Sequence, residues 1–121
     1  MNGNPNAEQK RYHDQLREMF REVHGGTPEI HHIFGAQAKF KLLAEAGIKK
    51  PGEWFVIAMS KEEHKAIDDN KYSFEAERGL FMQQRRDYKN YFKTETPVPV
   101  EIFMYYNQMT SKHQGLRSWS E

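Results

Sequence analysis

Six apolar residues, Trp54-Phe55-Val56-Ile57-Ala58-Met59, lead directly into Ser60-Lys61-Glu62-Glu63, and this junction constrains the fold more than any other segment. The apolar run is aromatic and β-branched and has the length of a strand. Ser60 with Glu63 three residues later forms a capping box, which predicts a helix from Lys61. A strand passing straight into a capped helix puts His64 in the helix's first turns. Asp68 follows four residues later on the same helical face.

Helical spacing accounts for most of the remaining chain. Asn6 and Gln9 form an N-cap pair ahead of Tyr12, Leu16, Met19, Phe20 and Val23, and Gly25-Gly26 ends that helix. Thr27 to Ile33 reads as a short extended segment. Ala38, Phe40, Leu42, Leu43 and Ala46 predict a short helix stopped by Gly47, and Lys49-Lys50-Pro51-Gly52 reads as a turn. Ser73 opens a longer helix carrying Phe74, Phe81, Tyr88 and Phe92. After a connector from Thr94 to Pro99, Val98, Ile102, Phe103, Tyr106 and Met109 mark a last amphipathic helix. The expected organisation is a frayed leader at 1–5, one domain at 6–110 and a flexible tail at 111–121.

With 121 residues the chain is long enough for one small core, and its 13% aromatic content argues against disorder. Eighteen basic and seventeen acidic residues nearly balance, so bulk charge does not indicate a nucleic-acid partner. The absence of cysteine excludes disulfides, thiolate zinc sites and a cysteine nucleophile. No apolar run reaches the ~18 residues needed to span a bilayer, so no membrane association is expected and the expected location is cytoplasmic.

The chemistry gathers in Glu29-Ile30-His31-His32-Ile33, with Glu63-His64 and Asp68 about thirty residues later. His64 and Asp68, one helical turn apart, can converge on a metal ion, because imidazole nitrogen and carboxylate oxygen are ordinary ligands. In a strand, His31 and His32 point to opposite faces, so both cannot be ligands unless the backbone bends. The economical division is one ligand and one general base, with His32 near the ion but not on it. An imidazole takes a proton from water near neutral pH, and a divalent ion stabilises charge on a phosphate and its leaving oxygen. Together these roles describe one-metal phosphodiester hydrolysis.

This constellation resembles the HNH, or His-Me finger, endonucleases, in which two strands and a helix clasp one divalent ion. The segment Ser73-Phe74-Glu75-Ala76-Glu77-Arg78-Gly79 extends the likeness toward phage HNH-like nucleases of the recombination-enhancement type, over roughly residues 27–84. The resemblance implies an α+β fold, a ββα-metal finger with its core at about 27–70, flanked by helices and mostly helical overall. It implies His31 as a metal ligand, His32 as the general base, His64 and Asp68 as helix ligands, and Glu29 orienting a ligand. It further implies one divalent ion (Mg or Mn first, then Zn or Ni), DNA as substrate, and a phage-encoded protein working in a bacterial host beside other phage or recombination proteins.

The chain departs from the family pattern in two places. No Asn lies between His32 and His64, and Glu53 is the candidate to supply the hydrogen bonds of the missing residue. Asp68 stands where the family usually has His, which favours harder ions. Arg78, Arg85, Arg86 and Lys89 form a basic stretch that could meet DNA phosphates, although a solvated helix face accounts for each singly. His13 and His24 are expected on the surface of the first helix without a role. Two competing readings are a catalytically degenerate HNH-like module that binds nucleic acid or a protein partner, and an all-helical interaction protein.

Overall fold

The computed structural model describes residues 5–68 and 73–112, with side chains described as far as Ile67 and from Ser73 to Met109. The expected tail falls mostly outside these residues, as does most of the expected leader. Helix α1 (Ala7–His24) precedes strand β1 (Glu29–His32), the short helix α2 (Lys41–Glu45) and a 3-10 turn at Pro51–Glu53. Strand β2 (Val56–Met59), α3 (Lys61–Asp68), α4 (Phe74–Phe92) and α5 (Val100–Lys112) follow. The fold is α+β, mostly helical, with a two-stranded antiparallel sheet.

Strand β2 begins at Val56, two residues later than the apolar run, because the 3-10 turn consumes the approach. The Trp54 and Phe55 amides both hydrogen-bond back to the Pro51 carbonyl, so their N–H groups close a turn, and only the Phe55 carbonyl, which accepts from the Ile33 amide at 2.9 Å, carries the ladder one bond further. In the ladder His31 pairs with Ile57 and His32 with Val56. All four β2 residues are buried, as expected of a continuous apolar strand covered on both faces. The Gln84 side chain caps the strand's backbone: its amide donates to the Ala58 carbonyl at 2.7 Å, and the Ala58 N–H donates to its oxygen at 3.0 Å.

The ladder passes into α3 as the Ser60–Glu63 pair predicts. The Glu63 amide donates to Ser60 Oγ at 3.1 Å, and the Ser60 amide donates to Glu63 Oε1 at 3.3 Å. Beneath the sheet, Phe55 is fully enclosed by rings of Phe34, Phe40, Phe81 and Tyr106, whose centroids stand 5.1 to 6.1 Å away. Edge-on and tilted pairs of this kind each add ~0.5–1.5 kcal/mol to their area burial. This cluster joins β2 to α4 and α5 and fixes the platform on which the histidines stand. The aromatic spacing of α4 does pack inward at Phe74, Phe81 and Tyr88. Val23, expected on the buried stripe of α1, is instead exposed, because residues 21–27 run past the packed face.

Helix α1 also clamps the loop ahead of β2. Gln9 completes the capping box with Asn6, and its amide nitrogen donates to the carbonyls of Lys49 and Lys50 at 3.1 and 3.0 Å. Lys50 adopts a left-handed backbone, φ 49°, which side chains other than glycine rarely adopt, and the Gln9 clamp helps hold it there. Gly52 fits for a steric reason: a Cβ would lie 2.3 Å from the Gly35 carbonyl oxygen. The 34–36 loop and the Pro51 turn therefore close tightly beside Glu53.

Candidate metal and catalytic site

Strand alternation divides the site in two. Glu29 and His31 share one face of β1, toward α3 and α4, and His32 faces the other way, toward α1. On the first face His31 Nε2–H donates to Glu77 Oε2 at 2.6 Å, and both side chains are buried. His64 Nδ1–H donates to Glu29 Oε1 at 2.8 Å across the strand–helix junction. The rings of His31 and His64 meet edge to face with centroids 5.1 Å apart. A carboxylate on one imidazole nitrogen fixes the tautomer and leaves the other nitrogen as a lone-pair donor. For the neutral rings that nitrogen is Nδ1 of His31 and Nε2 of His64.

On the second face His32 Nε2–H donates to Glu53 Oε1 at 2.8 Å. Glu53 is almost wholly buried, and its Oε2 has no hydrogen-bond partner among the described residues. His13 Nε2–H donates to the Glu53 backbone carbonyl at 2.8 Å and lies 3.8 Å from its Oε1. The His13 and His32 rings stand edge to face at 5.9 Å. Burial pushes the His13 pKa below its ordinary 6.5, and the hydrogen bond to the Glu53 carbonyl only partly opposes this. A neutral His13 follows, held by its Nε2–H.

The expected residues thus divide as follows. His31, His64 and Glu29 come together on one face; Asp68 ends α3, and its side chain lies outside the described residues. His32 does not share that face. Its partner is Glu53, the residue expected to replace the family's Asn. The expectation that His13 lies on the surface is wrong, since it is only 4% exposed and bonded to the Glu53 backbone. Glu77, the partner of His31, lies outside the histidine motif, and the sequence signal for it is its place three residues after Phe74 and four before Phe81, on the buried stripe of α4.

The basic residues of α4 are engaged locally. The Arg85 guanidinium sits 4.0 Å from the Phe103 ring centroid, and Arg78 donates to Asn107 on α5. Arg86 donates to Gln83, and Lys89 pairs with Glu95 at 2.9 Å, holding that carboxyl below its usual range. Among the described residues, no helix is long and apolar enough to cross a membrane. No protein-family profile matches the chain, and comparison with curated proteins and with solved structures gives no significant match.

Proposed function

We propose that this chain is a divalent-metal-dependent endonuclease that hydrolyses DNA phosphodiester bonds, built as a ββα-metal finger of β1, β2 and α3. One observation carries the reading: the antiparallel ladder feeds directly into a capped helix, bringing His31 and His64 ring to ring, each locked by a carboxylate. Metal-ligating imidazoles usually donate their other N–H to a carboxylate in this way, which supports the reading. His31 and His64 would hold the ion, with Asp68 as the further ligand from α3. Two imidazoles and a carboxylate fit Mn, Zn or Ni and accept Mg. When bound, the ion would act as a Lewis acid toward the phosphate and its leaving oxygen.

His32 serves as the general base. Glu53 holds its Nε2–H, so the lone pair of the neutral ring lies on Nδ1, and the carboxylate steadies the imidazolium once water is deprotonated. Among the described residues β1 pairs with β2 on one side only. A phosphodiester lying along the other edge would have His32 on one flank and His31 on the opposite flank, the relation an in-line displacement requires. The competing reading, a non-catalytic module, draws on the depth of His31 and on the local partners of Arg78, Arg85 and Lys89.

Plasmid nicking distinguishes the two. The wild-type chain should relax supercoiled DNA with Mn or Mg, and His32→Ala should abolish this while metal binding through His31 and His64 persists. Absence of cleavage with each of Mg, Mn, Zn and Ni would leave the binding module as the better reading.

A further inference from the structure

We propose that His13, His32 and Glu53 form a binding site for a second, transition-metal ion on the α1 face of the sheet, distinct from the His31–His64 pair. Four donor atoms gather there around Glu53. Its Oε1 stands 2.8 Å from His32 Nε2 and 3.8 Å from His13 Nε2, and its carbonyl oxygen stands 2.8 Å from that same His13 nitrogen. One ligand atom from each residue lies within 4.8 Å of the other two. Donors ~2.1 Å from one ion and at right angles about it are ~3 Å apart, so small adjustments would seat an ion where ring protons now bridge these atoms.

An independent observation points to a cation. Glu53 is 1% exposed, and its Oε2 finds no hydrogen-bond donor among the described residues. Burying a carboxylate with half of its acceptor capacity unused is costly, and an ion beside it removes that cost. The surroundings are rigid as well: the Gln9 clamp and the tight Gly52 contact fix the turn that carries Glu53. Two imidazoles with oxygen donors select zinc, cobalt or nickel over magnesium and calcium. Access is available on two sides. A cavity of about 300 Å³ lined by Pro5, Lys10, His13, Asp14 and Arg17 reaches His13, and the His32 side chain is 28% exposed. Asp14 offsets the two cations of that cavity, pairing with Arg17 at 2.8 Å and Lys10 at 3.7 Å.

Occupancy has a chemical consequence that rests on the nuclease reading, although the ion site itself does not. An ion on Nε2 of neutral His32 requires the other tautomer: the single ring proton, now on Nε2 and shared with Glu53, moves to Nδ1. His32 is left without a lone pair to accept a proton from water. Zinc or cobalt at this site therefore switches off the general base while the His31–His64 ion stays in place.

Anomalous diffraction from wild-type crystals grown with cobalt provides the direct test. The expected map has a peak within coordination distance of both His13 and His32. A map at saturating cobalt with no peak there overturns the proposal. In solution, the metal-stripped His64→Ala protein should bind about one equivalent of cobalt with visible d–d absorption, and adding His13→Gln should weaken that binding at least ~10-fold. Unchanged affinity in the double variant also overturns it. A cobalt peak in a protein that cleaves no plasmid with any ion would sustain the site and remove only the nuclease reading.

Discussion

Residues 31 and 32 are chemically identical neighbours, and the two faces of β1 use them differently. On the α3–α4 face His31 is sealed against Glu77, a carboxylate from 46 residues away, with both side chains all but inaccessible. The more open part of that face is the His64–Glu29 pair, with side chains 26% and 41% exposed. On the α1 face the arrangement is reversed. There the carboxylate, Glu53, is the sealed member, and the histidine reaches toward solvent. An imidazole buried behind its own carboxylate works as an anchor. An imidazole presented outward by a buried carboxylate is poised to exchange a proton or accept an ion. Adjacent residues of one type thus acquire different chemistry from the side on which their partner is buried.

The comparison breaks most readily at Glu77. Replacing it with Ala leaves the buried Nε2–H of His31 without its acceptor and opens a cavity; a buried polar group stranded in this way costs ~1–3 kcal/mol, more where its partner was charged, and the cavity adds to it. Chemical denaturation of Glu77→Ala should show that loss, whereas Glu29→Gln, in a half-buried pair where the amide oxygen can still accept, should fall within ~1 kcal/mol of wild type. Equal costs at the two positions would mean that the α3–α4 face has no sealed anchor. A middle-sized effect is expected at Gly52→Ala, where the added methyl meets the carbonyl oxygens of Gly35 and Ala36 at 2.3 and 2.7 Å. Forcing that contact apart should cost ~1–3 kcal/mol. Because Gly52 adjoins Glu53, the NMR shifts of His32 and His13 should move while those of His64 stay near wild type. Displacement of His64 to the same degree would show that the two faces are mechanically coupled.

These residues also show what could be read from the chain before folding. The Ser60–Glu63 box and the Asn6–Gln9 pair are local, and both form as their spacing implies. The opposed directions of His31 and His32 follow from the pleat alone. The partners were harder to read because they arrive through tertiary packing. Glu77 and His13 are polar, and polarity suggests surface. Their positions say otherwise: His13 lies next to Tyr12 and three residues before Leu16, and Glu77 lies between Phe74 and Phe81 on one helical stripe. A titratable residue inside an apolar stripe must find a partner when the helix docks. That rule would have directed attention to both residues, although it names neither partner. The sequence Lys49-Lys50-Pro51-Gly52 signals a turn, but the left-handed Lys50 within it depends on the Gln9 clamp 41 residues earlier and has no local signature.

The smallest expected effect is on pH dependence, and it belongs to the α1 face. Burial holds the His13 pKa below 6.5, so between 6.5 and the folded value the unfolded chain takes up a proton at His13 that the folded chain refuses. The unfolded state then binds more protons, and stability rises with pH across that window. The contribution of a neutral, buried His13 is therefore complete above 6.5. It is lost progressively as the pH falls toward the folded value, and constant below it. In chelator, thermal melts of the wild-type chain from pH 7.5 downward should lose stability faster than those of His13→Gln, which has no proton to accept there. Gln can still donate an N–H to the Glu53 carbonyl, so the two proteins differ chiefly in that titration. Parallel curves would mean that folding leaves the His13 pKa unchanged, and a wild-type chain that gains stability over His13→Gln as the pH falls would mean that His13 is protonated in the folded state, sharing its charge with Glu53. The α1 face would then carry a buried ion pair like that proposed for no other part of the sheet, and a metal ion would have to displace a proton held more firmly than its present geometry implies.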